Sequence, residues 1–515
     1  MENNINEKKV LTSKESLILL LSVFVVGFCT IIYELLIGSV SSYFLGDSIK
    51  QFSLVIGLTM TAMGLGTLAS RIVKSNLIYW FILIEIILAI VGGLCVPILY
   101  FSYMCEPVYY PVMFILIMII GALIGLEIPL LTRIMEKYYD LRNNISNVLS
   151  LDYLGAFIAT LAFPFLLLPL MGIFESSIFA GLLNLLVGVI NFYWFKDKIT
   201  FKRRAKLRAS ALLIFLLLAG GFVCSKSLMK YWENNIFDDR VIFSKQTKYQ
   251  KLVMTRNKED IRLFIDGNVQ FSSVDEHRYH ELLIHVPMSL AKHRENILVL
   301  GGGDGLAARE LLKYKDVQNI TVVDLDEEMT NLARENRIVK EMNEGSFLNP
   351  KVHIVNSDAF KYVENSDKFF DVIIIDLPDP NNSSLARLYS REFYKLVKKK
   401  LSKEGLVVSQ STSPYFSSEA YWCVNETLKA AGFKYTYPYH VYVPSFGDWG
   451  FVMASNVKYD LDKFKLDVTT KYLDKETFKK AFVIEKDIVR KNIKFSTLDK
   501  PAILDYYLQG WRYWN

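Results

Sequence analysis

Apolar and polar positions divide this 515-residue chain into two halves of different character. Up to about position 223, long apolar runs alternate with short basic loops; beyond it the sequence is charged and mixed. The runs at 17–38, 52–69, 77–100, 112–131, 148–170 and 177–195 predict helices, each about long enough to cross a hydrocarbon core of roughly 30 Å. A seventh run, 211–223, is short, and reads as a thin span, a re-entrant segment or an interfacial helix. Residues 227–239 are polar and aromatic and are expected to form a linker. Short alternating runs then cover 241–271, the pattern of an antiparallel hairpin set, with Asp266-Gly267-Asn268 supplying turn chemistry. Residues 275–288 predict a helix that opens with acids, which suit its N-terminal end.

From 296 the period changes again. The apolar run 297–300 reads as a buried parallel strand, Gly301, Gly302 and Gly303 as a tight turn, 306–314 as a helix, and 320–323 as a second strand ending in acid. Strand, glycine turn, helix, strand and an acid about 20 residues on form the nucleoside-binding arrangement of doubly wound folds. Further strands are expected at 352–356, 371–376 and 406–410. The fold class is therefore a multi-pass α-helical membrane domain (1–226), a linker and small antiparallel β region (227–285), a doubly wound Rossmann-like sheet of methyltransferase type (286–456), and a helical C-terminal extension (457–515).

Composition changes this picture in three places. The net charge of +6 is modest and lies largely in loops between the apolar runs, so nucleic acid is not an expected partner. Lys14, with Lys8 and Lys9, shares one side with Arg71, Lys74, Arg133, Lys137, Arg142 and the basic run 196–208, and the positive-inside rule puts that side in the cytoplasm. If 211–223 does not fully cross, the C-terminal half is cytoplasmic as well, which is the expected location. The five cysteines are scattered and have neither disulfide nor zinc spacing. His277, His280 and His285 lack helix-face spacing with a carboxylate, so no metal is expected.

Two groups of acids stand out. Glu34, Glu85, Glu127 and Asp152 lie in or beside the apolar runs with no basic residue there to pair them, which marks a functional candidate as readily as protonated helix-packing groups. Glu34 and Glu127 hint at an inverted repeat of the transporter kind, whereas Gly121 and Gly125 read as a helix-packing pair. The second group, Asp304, Asp324, Asp358, Asp376 and Asp379, falls at predicted strand ends. In open α/β sheets those ends line one crevice. Asp324 is placed for ribose hydroxyls and Asp358 for an adenine amine. The remaining three acids are too much negative charge for a phosphate and suit a cationic substrate, and an amine nucleophile needs a carboxylate base to lose its proton.

At this point the sequence resembles the polyamine aminopropyltransferases, the spermidine synthase family, and in its apolar half the membrane-bound members of that family. The matching pieces are Tyr249-Gln250, LFIDGNVQ (263–270), DEHRYHE (275–281), GGGDG (301–305) with RELLK (309–313), VVDLD (322–326), SDA (357–359), DVIIIDLPDP (371–380), LYSREFY (388–394) and Gln410, in family order over about 241–455. The resemblance implies transfer of the aminopropyl group of decarboxylated S-adenosylmethionine, a co-substrate, to putrescine or another polyamine, with no prosthetic group. It implies that Asp304 holds the aminopropyl ammonium, Asp324 the ribose, and Asp358 with Ala359 the adenine. Gly301 and Gly303 would form the donor turn. Gln250, Gln270, Tyr279, His280 and Asp379 would line the donor and amine sites, with Asp376 as base. The lipid bilayer and a second copy of the chain are the other expected partners.

Two positions depart from the family pattern. The ribose acid, usually Glu, is Asp324. Where the family commonly has Pro-Thr-Tyr-Pro, this chain reads Val443-Pro444-Ser445-Phe446-Gly447, so Phe446 keeps the ring and loses the hydroxyl, which opens the choice of acceptor. Asp448 and Trp449 are candidates for the same pocket, Trp449 equally for the core. Two rival readings stand beside the first: a methyltransferase using intact S-adenosylmethionine, against which Asp304 argues, and a polyamine or cation transporter fused to a synthase or sensor.

Overall fold

The computed structural model describes residues 13–512 apart from 46–47 and 137–138. Lys8, Lys9 and Lys137 of the basic side, and 513–515 of the tail, lie outside the described residues. The chain forms two compact units, Met1–Asp238 and Asp239–Asn515.

The first unit is helical: α1 (Ser13–Leu45), α2 (Ser48–Ala69), α3 (Leu77–Gly93), α4 (Cys95–Tyr103), α5 (Glu106–Met135), α6 (Leu141–Ala162), α7 (Leu168–Phe195) and α8 (Phe201–Ile236). Among the described residues, six helices are long and apolar enough to cross a membrane by length and composition, counting Leu141–Lys198 as one. That 58-residue element is broken at Gly172, whose φ of 82° is not helical. Helix α1 packs on α6, α2 on α5 and α3 on α7. Gly121 and Gly125 are the α5 side of the α2 seam: a Cβ at Gly125 would fall 2.1 Å from the Met63 carbonyl oxygen. Backbones meet this closely only where one helix offers no side chain.

Two expectations change here. The seventh segment is not short: α8 runs for 36 residues, because the basic turns before 211 and the polar residues after 223 are good helix formers that prolong the apolar run at both ends. For the same reason 227–236 is the last part of that helix and not an irregular linker. Length therefore no longer argues against a crossing by α8.

The second unit opens with the sheet β1 (Arg240–Gln246), β2 (Lys251–Asn257), β3 (Asp260–Ile265) and β4 (Asn268–Ser272), antiparallel in that order. Asp266 and Gly267 both take positive φ, 48° and 80°, as a two-residue hairpin turn requires. Then come α9 (Glu276–Leu290), β5 (Asn296–Gly301), α10 (Leu306–Leu312), β6 (Asn319–Asp324), α11 (Glu327–Glu335), α12 (Arg337–Met342), β7 (Val352–Asn356), α13 (Ala359–Asn365), β8 (Phe370–Asp376), α14 (Ser383–Ala386), α15 (Arg391–Lys399), β9 (Leu401–Gln410), α16 (Ser418–Ala430), β10 (Tyr435–Val443), β11 (Gly447–Ser455), α17 (Lys475–Ala481) and α18 (Ala502–Arg512). The seven-stranded sheet has the order β10-β11-β9-β8-β5-β6-β7. Strands β9 to β7 are parallel; β5, β6 and β8 are buried on both faces, which is why they read as apolar runs, while the edge strand β7 is partly exposed. Strand β11 runs antiparallel between β9 and β10. Strand β10 carries Pro438, which an edge strand tolerates.

Strand order reverses at β5, which pairs with β6 on one side and β8 on the other. Ligands of open α/β sheets lie at that switch, beyond the strand C-termini. The extension after β11, expected to be helical, is mostly irregular, and its two α-helices, α17 and α18, pack on the domain. Tyr459, Phe464, Leu473 and Phe478 bury in the core beside the sheet, and α18 packs on α16.

Candidate active site

Gly301 and Asp376 are register partners at the ends of β5 and β8. Gly301 has φ 87°, and a Cβ there would sit 2.0 Å from the Asp376 carbonyl oxygen, so only glycine lets the two strand ends close. Gly303 instead makes room for a side chain, with Asp324 Oδ2 2.4 Å from a built Cβ. The glycine turn thus brings Asp304, Asp324 and Asp376 around one crevice.

Asp376 is half-buried and accepts a 2.5 Å hydrogen bond from the Tyr279 hydroxyl. Burial pushes its carboxyl up to about 6; Asp304 adds to this, while the His280 charge and the Tyr279 bond pull it back. Asp304 accepts from the Leu306 N–H at 2.9 Å and is also raised, chiefly by burial, with His280 opposing. Asp324 accepts from the Asp326 N–H at 2.9 Å and is pushed to about 6 by burial.

His280 faces both Asp304 and Asp376. Burial lowers its pKa, but its Nδ1 lies 2.8 Å from Glu276 Oε2, and that carboxylate with the two aspartates raises it to about 9. Glu276 is held in turn by Arg309, with Nη1 to Oε1 at 2.9 Å and Nη2 to Oε2 at 3.0 Å. Burial opposes ionisation of Glu276, yet His280 and Arg309 bring it down to about 2. A line of alternating charge, Arg309–Glu276–His280, therefore ends on the crevice acids. His285 belongs elsewhere: it meets Glu310 at 2.7 Å and the Tyr314 hydroxyl at 2.9 Å inside the core.

Asp379, just past β8, accepts from Gln410 Nε2 at 3.2 Å and Thr412 Oγ1 at 3.3 Å, and the Tyr507 hydroxyl of α18 stabilises its charged form. Burial raises it to about 6 against the stabilisation by Gln410, Tyr507 and Thr412. Gln410 further donates to the Leu377 carbonyl and the Tyr389 hydroxyl, both at 2.6 Å, fixing the turn that carries Asp379. Phe446, in the turn between β10 and β11, lies edge-on to Tyr279 with centroids 6.0 Å apart and to Trp449 at 5.0 Å. The Trp449 indole N–H is buried without a partner.

The other candidate residues divide. Gln250 lies in a loop whose Thr247 donates to Asp326 Oδ2 at 2.7 Å and accepts the Gln250 N–H at 3.0 Å, which ties the small sheet to the β6 end. Asp358 caps α13 through the Lys361 N–H at 3.0 Å and is ion-paired with Arg387 through its other oxygen; Ala359 follows it, buried. Gln270 is half-buried on β4 and bonds the Asn268 carbonyl at 3.5 Å, with no bond to the acids. Asp448 pairs with His440 at 2.7 Å and lines a cavity of about 830 Å³ formed with 472–488, which none of the strand-end acids lines.

The chain is 41% identical over 96% of its length, and 98% of the relative's, to a polyamine aminopropyltransferase of Leptospira interrogans serogroup Icterohaemorrhagiae serovar copenhageni. It belongs to the polyamine aminopropyltransferase family. A second such enzyme, from Oceanobacillus iheyensis, is 40% identical over 98% of this chain and 99% of that one. Matches of 494 and 517 residues cannot be confined to the second unit, so these relatives share the helical half. Residues 276–466 match the spermine/spermidine synthase domain. A solved spermidine synthase bound to the transition-state analogue AdoDATO is 28% identical, covers 48% of this chain and 87% of its own, and has a TM-score of 0.45.

For an aminopropyltransferase, the residue that sequence reasoning missed here is Tyr507. Nothing local announces it, because α18 is brought to Asp379 only by packing on α16. Tyr507→Phe removes a group that stabilises the charged form of Asp379 and is expected to raise KM for the amine several-fold, with kcat nearly unchanged. Steady-state kinetics at fixed donor check this; an equal fall in kcat with unchanged KM counts against a role in amine binding.

Proposed function

We propose that this enzyme moves the aminopropyl group of decarboxylated S-adenosylmethionine to putrescine or a related polyamine, giving, from putrescine, spermidine and methylthioadenosine. The observation that carries this reading is Asp304 inside the glycine turn, half-buried and in the electrostatic field of Asp376. A phosphate or a substrate carboxylate is repelled there, whereas an aminopropyl ammonium is drawn in. Asp324 binds the ribose. Asp358 and Ala359 read the adenine, and a carboxylate's four lone-pair sites leave room for an amine beside Lys361 and Arg387. Gln250 and Gln270 border the donor, while Tyr279, His280, Asp379 and Phe446 border the amine.

The step is a direct displacement. The amine lone pair attacks the carbon next to the sulfonium, the C–S bond breaks toward sulfur, and the proton lost by the amine goes to Asp376. Sulfonium is already a good leaving group, so orientation and proton removal are the enzyme's main tasks. Asp376 at about 6 is ionised at neutral pH yet basic enough to take a proton.

We further propose that the helical unit is embedded in lipid. Its outward side chains support this: Met60, Phe165, Leu170 and Val223 are 67–82% exposed, and apolar surface on this scale is foreign to water-soluble proteins.

The test uses the full chain with decarboxylated or intact S-adenosylmethionine and a panel of di- and triamines. Methylthioadenosine release with the decarboxylated donor alone is expected. Methyl transfer from the intact donor overturns the proposal.

A further inference from the structure

The helical unit gathers polar side chains from several helices in its interior. Glu85 on α3 and Glu127 on α5 are both 0% exposed. Asn184 on α7 donates through Nδ2 to Glu85 Oε2 at 2.9 Å, and Tyr33 on α1 donates to Asn184 Oδ1 at 3.0 Å. The Tyr33 hydroxyl proton is used on Asn184 and the Cys29 thiol on the Ala180 carbonyl, and the second N–H of Asn184 meets neither glutamate's remaining oxygens. Glu85 Oε1 and both Glu127 oxygens are left buried with no protein donor. Glu127 lies in the electrostatic field of Glu85 and of Asp152 on α6, and Tyr33 and Cys29 feel both glutamates, so these groups form one cluster. Glu34, singled out from the sequence beside Glu127, is only part-buried and lies outside the set with orphaned oxygens, so the two do not occupy equivalent surroundings.

Two buried carboxylates without a countercharge are costly unless something supplies protons or positive charge. Three acceptor atoms await donors. One shared proton bridges two oxygens and leaves the third unmet; two protons neutralise both groups without a ligand, and a chain that binds a single amine reports that outcome. A primary ammonium carries three N–H donors and one positive charge, which matches both the count and the sign. We propose that Glu85 and Glu127, with Asn184 and Tyr33 orienting Glu85, form a second amine site that takes the terminal ammonium of a polyamine inside the helical unit. That choice of ligand rests on the reading of the catalytic unit as polyamine-using. The site places amine binding in the half of the chain that the displacement chemistry does not need.

Equilibrium binding of radiolabelled putrescine and spermidine to the purified full chain in detergent tests this. Two amines per wild-type chain are expected, falling to one in Glu127→Gln and in Glu85→Gln. The wild-type stoichiometry needs no variant, so a folding defect in either glutamine variant leaves the test intact. A single amine per wild-type chain overturns the proposal. So does a second amine that both variants retain, or one that sodium displaces at equal concentration. Aminopropyl transfer is measured on the same preparation. Its absence with every amine sinks the functional reading, whereas the label reports occupancy of the second site regardless of turnover.

Discussion

Asp376→Asn is expected to lower kcat for aminopropyl transfer by about 10²- to 10⁴-fold, the usual contribution of a positioned general base. The amide is nearly isosteric and still accepts the Tyr279 bond, so the fold and donor binding are expected to persist. The pH dependence identifies the group. Burial destabilises the Asp376 carboxylate, so the wild-type rate is expected to rise with pH through about 6 as the carboxylate form appears. Tyr279→Phe removes a donor that stabilises that form, and the ascending limb moves to higher pH. In Asp376→Asn the limb disappears. Asp324 and Asp379 also lie at about 6, so a limb that survives in the asparagine variant assigns it to one of them. Methylthioadenosine release across pH 5–8 measures all of this; undiminished turnover in Asp376→Asn removes the residue from its role. His280, held at about 9, is expected to set a descending limb above that pH, where the charge facing Asp304 and Asp376 is lost.

What the sequence disclosed follows from range. Asp304, Asp324 and Asp376 were legible because each sits at the end of an apolar run, and the sheet's own register carries strand ends to one edge. The Asp266-Gly267 turn was legible because positive φ at two positions is a local demand. Tyr507 was not, since its meeting with Asp379 depends on how α18 packs on α16. The β10–β11 hairpin escaped notice because Pro438 and the aromatic residues around it blur the period-2 signal that makes a strand readable. The length of α8 was underestimated because hydropathy marks the apolar middle of a helix while helix propensity carries the backbone beyond it. Asp358 shows the limit from the other side: position alone placed it at a strand end, and only coordinates reveal that Arg387 holds one of its oxygens.

The largest expected loss of stability comes from a residue with no contact to the reacting atoms. Arg309 is 8% exposed and Glu276 4% exposed, and the guanidinium bonds both oxygens of that carboxylate, Glu310 Oε1 at 2.9 Å and the Met342 carbonyl at 2.8 Å. Removing one partner of a buried pair leaves the other charge unpaired, at a cost of about 3–5 kcal/mol. Arg309→Leu is expected to approach that figure, and Arg309→Lys to cost less, since the ammonium keeps the charge but loses the planar fork. If the cost is an orphaned charge, Glu276→Gln added to Arg309→Leu recovers part of it; if the double variant is worse by the full sum, packing is the cause instead. Acid sharpens the distinction. Glu276 is depressed from 4.5 to about 2, so its contribution is complete above pH 4.5 and is lost as pH falls through about 2. Without Arg309 one of the supports that hold it down is gone, and thermal melts of the variant are expected to weaken at higher pH than those of wild type. His280 depends on the same carboxylate, so Arg309 stabilises the fold and the charge beside Asp376 through a single glutamate.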